Sequence, residues 1–199
     1  MDYNMEKIDK ILEENLTENS FKLWKALKEK IPDIWCRSSS STGKYHRRRD
    51  GTIPSVGEHT WEMLVTGIKL LSIFNVRPKT LDADILLLSI VLHDSWKYGD
   101  KNPINASHTN EKHNRIVADK IGKNRDILLR IFSERQVSLL VECLRFHSGR
   151  WSGESDRFNF RDHSPAVLFI HILDMLSTNA LLCIEDEQGA KNMKGEKIN

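Results

Sequence analysis

"LDADILLLSIVLHDSWKYGD", residues 81–100, is the stretch whose reading decides the fold. From Asp82 to Trp96 it is apolar almost all round, the pattern of a central helix covered on every side. Gly99 stands where a left-handed C-terminal cap forms. Yet the far end of this helix delivers His93, Asp94 and Lys97. Adjacent residues diverge by about 100° on a regular helix. His93 and Asp94 can therefore meet at one ion only where the backbone is leaving the helix. Lys97, one turn beyond His93, is placed to meet an anion rather than a cation.

Helical periodicity extends outward in both directions. Ile8, Leu12 and Leu16 recur at four-residue steps, and Phe21, Leu23, Trp24 and Leu27 resume the pattern before Pro32 ends it. This is read as two packing helices, or as one with a break near Asn19. The stretch from Pro32 to Gly57 is too rich in Ser, Gly and Pro for a regular helix, and loops of that length are usually functional or disordered. A helix follows from near Glu58, then a shorter one in "HNRIVADKIGK". "ERQVSLLVECLRFH" and "SPAVLFIHILDMLSTNALLCI" give two more, the last with Ser164 as N-cap and Pro165 in the first turn. No segment alternates with period two. The pattern predicts an all-α, compact helical bundle of about six to eight helices. Residues 1–31 would form helices packed on the core, 32–184 the main domain with its loop 32–57, and 185–199 a flexible tail.

Composition narrows the function. Thirty basic residues against 28 acidic ones leave a formal charge of +2, so no global field argues for nucleic acid or membrane. Cys36, Cys143 and Cys183 are odd in number and lack C-x-x-C spacing, which fits a reducing cytoplasm better than a disulfide framework. The N-terminus is charged, and no apolar run approaches about 18 residues. A cytoplasmic protein without membrane partners is expected.

Polar groups recur at core-facing positions. His59 opens the helix before the central one, His147 ends the penultimate long helix, and Asp174 follows Val167, Ile170 and Leu173 at helical spacing. A buried carboxylate left unpaired costs several kcal/mol, by order of magnitude. A metal ion or a metal-bound histidine would satisfy Asp174, and so would an ordinary network with Arg or His.

"HTWEMLVTG", "LHDSWKYG" and "HILDMLS", in that order on an all-helical pattern, resemble the HD superfamily of metal-dependent phosphohydrolases. The similarity spans roughly residues 55–180. It implies His59, His93, Asp94 and Asp174 as metal ligands, with Asp94 also catalytic. Some branches hold a second metal through two further histidines, which implies His113 and His147 here, with Asp94 bridging. His108 is the substitute for His113 and ranks lower, because it lies in a loop. Nothing after His147 matches the Gly-Tyr-Pro element of the cyclic-dinucleotide branch.

Imidazoles and carboxylates suit one or two divalent ions, of Mn, Mg, Fe, Co, Ni or Zn without distinction. The implied activity is hydrolysis of a phosphate ester of a nucleotide or related small molecule by a metal-activated water, with Lys97 stabilising charge on the phosphoryl oxygens. Lys97 reads alternatively as a solvated lysine near a helix C-terminus, favoured by the macrodipole. The loop "STGKYHRRR" offers Lys44, His46 and Arg47 as substrate contacts, with Arg48 and Arg49 read as solvated. Trp151 lies close enough to His147 in sequence to line the cleft. His163 and His171 are read as a loop and a packing histidine, Trp61 and Trp96 as core or pocket-wall groups, and Cys143 as a small buried hydrophobe. Two alternatives stay open: a nuclease or phosphodiesterase acting on a nucleic-acid end or cyclic nucleotide, and a non-catalytic ligand-binding module.

Overall fold

The computed structural model describes residues 3–40, 42, 46–48, 51–101, 103–149 and 159–178. Among them are eight α-helices and no strand, an all-α bundle as the periodicity predicts. They are α1 (Tyr3–Asn15), α2 (Glu18–Lys28), α3 (Val56–Ile73), α4 (Leu81–Leu92), α5 (His113–Gly122), α6 (Arg125–Leu128), α7 (Glu134–Phe146) and α8 (Pro165–Thr178). None of these helices is long and apolar enough to cross a membrane.

α4 is the axis. Ile85, Leu87, Leu88, Ile90, Val91 and Leu92 are all buried, and α3, α7 and α8 pack around them. Full burial of such a side chain contributes about 1.5–3 kcal/mol, which offsets the cost of ending the helix on polar groups. α3 approaches α4 closely at Gly67, where an added Cβ would stand 2.7 Å from Ile90 Cδ1. α5 packs on α7 and α1 on α3. The side chains of Met5 to Leu27 on α1 and α2 join the same continuous core as α4, with Trp24 meeting Trp35 edge to face at 6.4 Å.

Helix ends follow local chemistry. The first two helices are separate, and the break falls at Leu16 and Thr17, before Asn19. Its cause is a buried carboxylate: the Thr17 amide donates to Asp84 Oδ1 at 3.0 Å and its hydroxyl donates to the other oxygen. Asp84 thus caps α2 from α4. α3 begins at Val56, two residues before Glu58, because Ser55 and Glu58 form a capping box. α7 has the same device in Ser133 and Gln136. Ser164 accepts from the Val167 amide at 3.4 Å, as expected of the α8 cap. The single-turn α6 has no counterpart in the sequence reading.

The one correction to the central helix is its end. α4 stops at Leu92, not Trp96. Beyond it the chain tightens into successive i to i+3 bonds: Ser95 N to Leu92 O, Lys97 N to Asp94 O and Gly99 N to Trp96 O, at 2.8–3.0 Å. Gly99, at φ +87°, then lets the chain turn away. The long loop is closed at its base. Ser38 and Ser55 form an isolated bridge, the Ser39 amide donates to Pro54 O, and the amides of Val56 and Gly57 donate to the carbonyls of Arg37 and Trp35.

Candidate metal centre

Each polar residue arrives from a different element. α3 carries His59 in its first turns. The tight turns after α4 carry His93, Asp94 and Lys97. α5 opens on His113, α7 ends just before His147, and α8 carries Asp174. His59, His93, Asp94 and His147 are at most 1 % exposed.

Hydrogen bonds fix which nitrogen of each ring faces inward. His93 Nδ1 donates to Ile90 O at 2.7 Å, His113 Nδ1 to Asn110 O at 2.8 Å and His147 Nδ1 to Leu144 O at 2.8 Å. A carbonyl only accepts, so each Nδ1 carries a proton. His59 Nδ1 meets Ser177 Oγ at 2.9 Å, and that hydroxyl spends its own proton on Asp174 O at 2.9 Å, so His59 Nδ1 also donates. All four Nε2 atoms are thereby turned into one region.

Two lobes result, joined by Asp94. In the first, His59 Nε2 lies 3.2 Å from His93 Nε2 and 3.3 Å from Asp174 Oδ1, and His93 Nε2 lies 3.3 Å from Asp94 Oδ2. In the second, His113 Nε2 lies 3.1 Å from both His147 Nε2 and Asp94 Oδ1. The longer separations, His59 to Asp94 Oδ2 and His147 to Asp94 Oδ1, are 3.8 Å. Despite these neighbours, Asp94 Oδ1 and Asp174 Oδ1 are buried and accept no well-formed hydrogen bond.

These distances fit shared cations. Two donors about 2.1 Å from one ion stand about 3.0 Å apart at a right angle and about 3.4 Å apart at the tetrahedral angle. Two imidazole lone pairs at 3.1–3.2 Å would repel unless a proton or a metal ion lay between them. Orphaned carboxylate oxygens and Nδ1–H groups anchored on backbone or hydroxyl acceptors complete the pattern of a ligand set with its outer shell. The buried His59, His93, Asp94, His113 and His147 group could hold a metal ion.

The electrostatics are tightly linked. Burial pushes the His147 imidazolium down to about 3, with His93 and His113 adding repulsion. Burial likewise lowers His59, only partly opposed by Asp174. His93 moves the other way: burial opposes its charge, but the Asp94 carboxylate raises it above the ordinary value. Burial alone would raise Asp94 and Asp174. His93 and Lys97 hold the first well below the carboxylate range, and His59 and His93 hold the second there.

The remaining sequence candidates divide. Lys97, expected to meet an anion, has its ammonium on Asp94 Oδ2, inside the site. His46 is brought to the first lobe, its ring 4.3 Å from that of His59, and burial holds its imidazole well below the ordinary value. Arg47 is exposed. Lys44 and Trp151 lie outside the described residues. His108 is exposed, so His113 is the histidine that joins the cluster. Arg48, read as solvated, is instead tied to Glu62 at 2.6 Å and Glu58 at 3.4 Å, because Glu62 is a buried carboxylate needing a cation. Cys143 is buried, and burial pushes its thiol up to about 12. His171, on α8, is buried as a packing histidine, and it also donates to His147 O at 2.7 Å.

Ser177 and this bond of His171 escaped the sequence reading. Their signal was present: in "HILDMLS", His171, Asp174 and Ser177 follow at steps of three, along one side of α8. A separate groove of about 610 Å³ lies by the other end of α4, between Val76, Ala83 and Leu87, and contains none of these groups.

No family model matches the chain, and neither a curated protein nor a solved structure matches it.

Proposed function

We propose that this protein is a metal-dependent phosphohydrolase of the HD type, cleaving a phosphate ester of a nucleotide or related small molecule. What carries the reading is the inward convergence of the four Nε2 atoms of His59, His93, His113 and His147 on the two oxygens of Asp94, with Asp174 closing the first lobe. A structural salt-link network has no need of imidazoles whose outer nitrogens are all committed to acceptors, nor of two lobes sharing one carboxylate.

One or two divalent ions held there would lower the pKa of water and polarise a phosphoryl oxygen. His59, His93, Asp94 and Asp174 would hold the first ion, and Asp94, His113 and His147 the second. Asp94, with one oxygen toward each lobe, would contribute to holding both. Lys97 anchors Asp94 Oδ2, and its ammonium would stabilise charge on an oxyanion bound beside it. Arg47, exposed beside His46 in the loop, is suited to draw an anionic substrate in. A cytoplasmic setting belongs to the same reading and rests on the cysteine pattern.

The nuclease alternative weakens, because Arg48 is committed to Glu62 and Glu58 and no longer counts toward a basic run. The deciding experiment screens nucleotides, cyclic nucleotides and short oligonucleotides with Mn, Mg, Co and Ni, reading phosphate or nucleoside release. Hydrolysis of a mononucleotide with shallow salt dependence is expected, while a steep salt slope on oligonucleotides would favour the nuclease. Metal uptake without turnover of any of them would leave a binding module.

A further inference from the structure

We propose that His46 is an additional protein donor to the first lobe, carried in by the long loop and aimed at the ion that His59, His93, Asp94 and Asp174 would hold. The inference rests on the metal reading above and assigns His46 to the ion rather than to the substrate.

Five observations carry it. His46 has φ +59°, a left-handed conformation that a non-glycine residue keeps only where its surroundings hold it. It is 6 % exposed, although it lies in a loop beside the exposed Arg47. Its Nδ1 is buried with no hydrogen-bond partner, a cost that folding normally avoids. A ring nitrogen of His46, one of His59 and an oxygen of Asp174 all lie within 4.8 Å of one another. The ring stands edge-on to His59, with centroids 4.3 Å apart and planes at 79°.

The loop is held in this place from outside. Two residues on, the Arg48 guanidinium binds Glu62 of α3, one turn after His59, and the Arg48 amide donates to Thr52 O at 2.8 Å. The helix that supplies His59 thus also clamps the segment that supplies His46. The lobes become unequal. In the first, His46, His59 and Asp174 form one mutually close set and His59, His93 and Asp94 another, joined at His59; among the described residues the second has Asp94, His113 and His147, which would leave it more positions for a substrate oxygen.

The test is a Co²⁺ titration of metal-stripped full-length protein, read by visible absorption and calorimetry. Two binding steps are expected, with Asp174→Asn removing the tighter one. His46→Gly and His46→Asn both suit the left-handed backbone. Each is expected to weaken the tighter step by about 10-fold or more, shift its spectrum and leave the weaker step unchanged. Millimolar imidazole is expected to restore the His46→Gly spectrum. Should both variants bind Co²⁺ with the affinity and spectrum of the parent, His46 merely packs against His59; this proposal falls and the metal centre stands. Should the parent protein bind no Co²⁺, the metal centre itself falls, and His46 with it.

Discussion

Asp94 holds the two lobes together, and its surroundings show how the site balances charge. Among the described residues, the carboxylates of Asp94 and Asp174 are set against the ammonium of Lys97 and the imidazole of His93, which is biased toward its charged form. Since His93 Nδ1 already donates to Ile90 O, its second proton must sit on Nε2, pointing into the first lobe. A divalent ion entering that lobe would displace any proton held there. Calorimetry in buffers of different ionisation enthalpy is expected to record proton release with the first ion. Asp94→Asn keeps the shape but leaves Lys97 buried beside a neutral group, at a cost of about 3–5 kcal/mol, and metal analysis is expected to find both lobes depleted. Acid acts on the same groups. The imidazoles of His147, His59 and His46 are all lowered by burial, so in the folded state they stay neutral where the unfolded chain takes up protons. That stability is whole above about pH 6.5 and falls at about 1.4 kcal/mol per pH unit per group as pH drops toward the folded value, about 3 for His147. His93 has the opposite sign, its contribution being present below about pH 6.5 and lost as pH rises through its raised value. Three groups against one predict a metal-free protein that melts at lower temperature at pH 5 than at pH 7, to be checked by calorimetry across that range.

At the scale of elements, α8 braces the centre along one side. Ser177 holds His59 Nδ1, Asp174 faces His59 Nε2, and His171 holds the carbonyl of His147. The bonds go to different lobes, so their loss should be separable. Ser177→Ala is expected to weaken the first-lobe ion by about 10-fold and spare the second, as read by Co²⁺ titration. Gly149→Ala attacks the other end. Gly149 has φ +56°, and an added Cβ would lie 2.4 Å from His171 Cε1. The ring must move, taking the His147 carbonyl with it, so the second-lobe ion weakens and the fold loses about 1–3 kcal/mol. These elements also show what could be read from the chain beforehand. The helices of the core were legible because their apolar residues recur at the helical period. His59, His93, Asp94, His147 and Asp174 stood out because they interrupt it, whereas His113 was indicated only by the resemblance to two-metal branches of the HD superfamily. The end of α4 was not legible, since the i to i+3 bonding that stops it at Leu92 depends on His93 folding back to Ile90 O. The break at Thr17 was not, because its cap comes from Asp84, 67 residues away. Arg48 looked solvated because nothing in "HRRR" reveals a buried Glu62.

Across the whole molecule, the centre draws on α3, the end of α4, α5, the end of α7 and α8, with no two donors closer in sequence than the helix ends allow except His93 and Asp94. The loops around it are pinned in turn: Arg37 lies over the Tyr98 ring at 3.6 Å, donates to Ile104 O at 3.0 Å and also reaches the carbonyls of Pro103 and Ala106, while Tyr98 donates to Ser38 O at 2.7 Å. An ion bound at such a junction binds only the folded chain, because unfolding scatters its donors over more than a hundred residues. Its binding energy is then folding energy. At 100 times the dissociation constant a single ion adds about 2.7 kcal/mol, which for a chain of this size raises the melting temperature by about 5–10 °C. Scanning calorimetry of the stripped protein with added Mn²⁺, Co²⁺ or Zn²⁺ is expected to show that rise, and excess chelator to reverse it. Asp94→Asn is expected to melt at one temperature whether metal is present or not. A parent protein equally indifferent to every divalent ion would mean that the convergence of these donors does not bind a cation, since a ligand that selects the native state cannot fail to stabilise it.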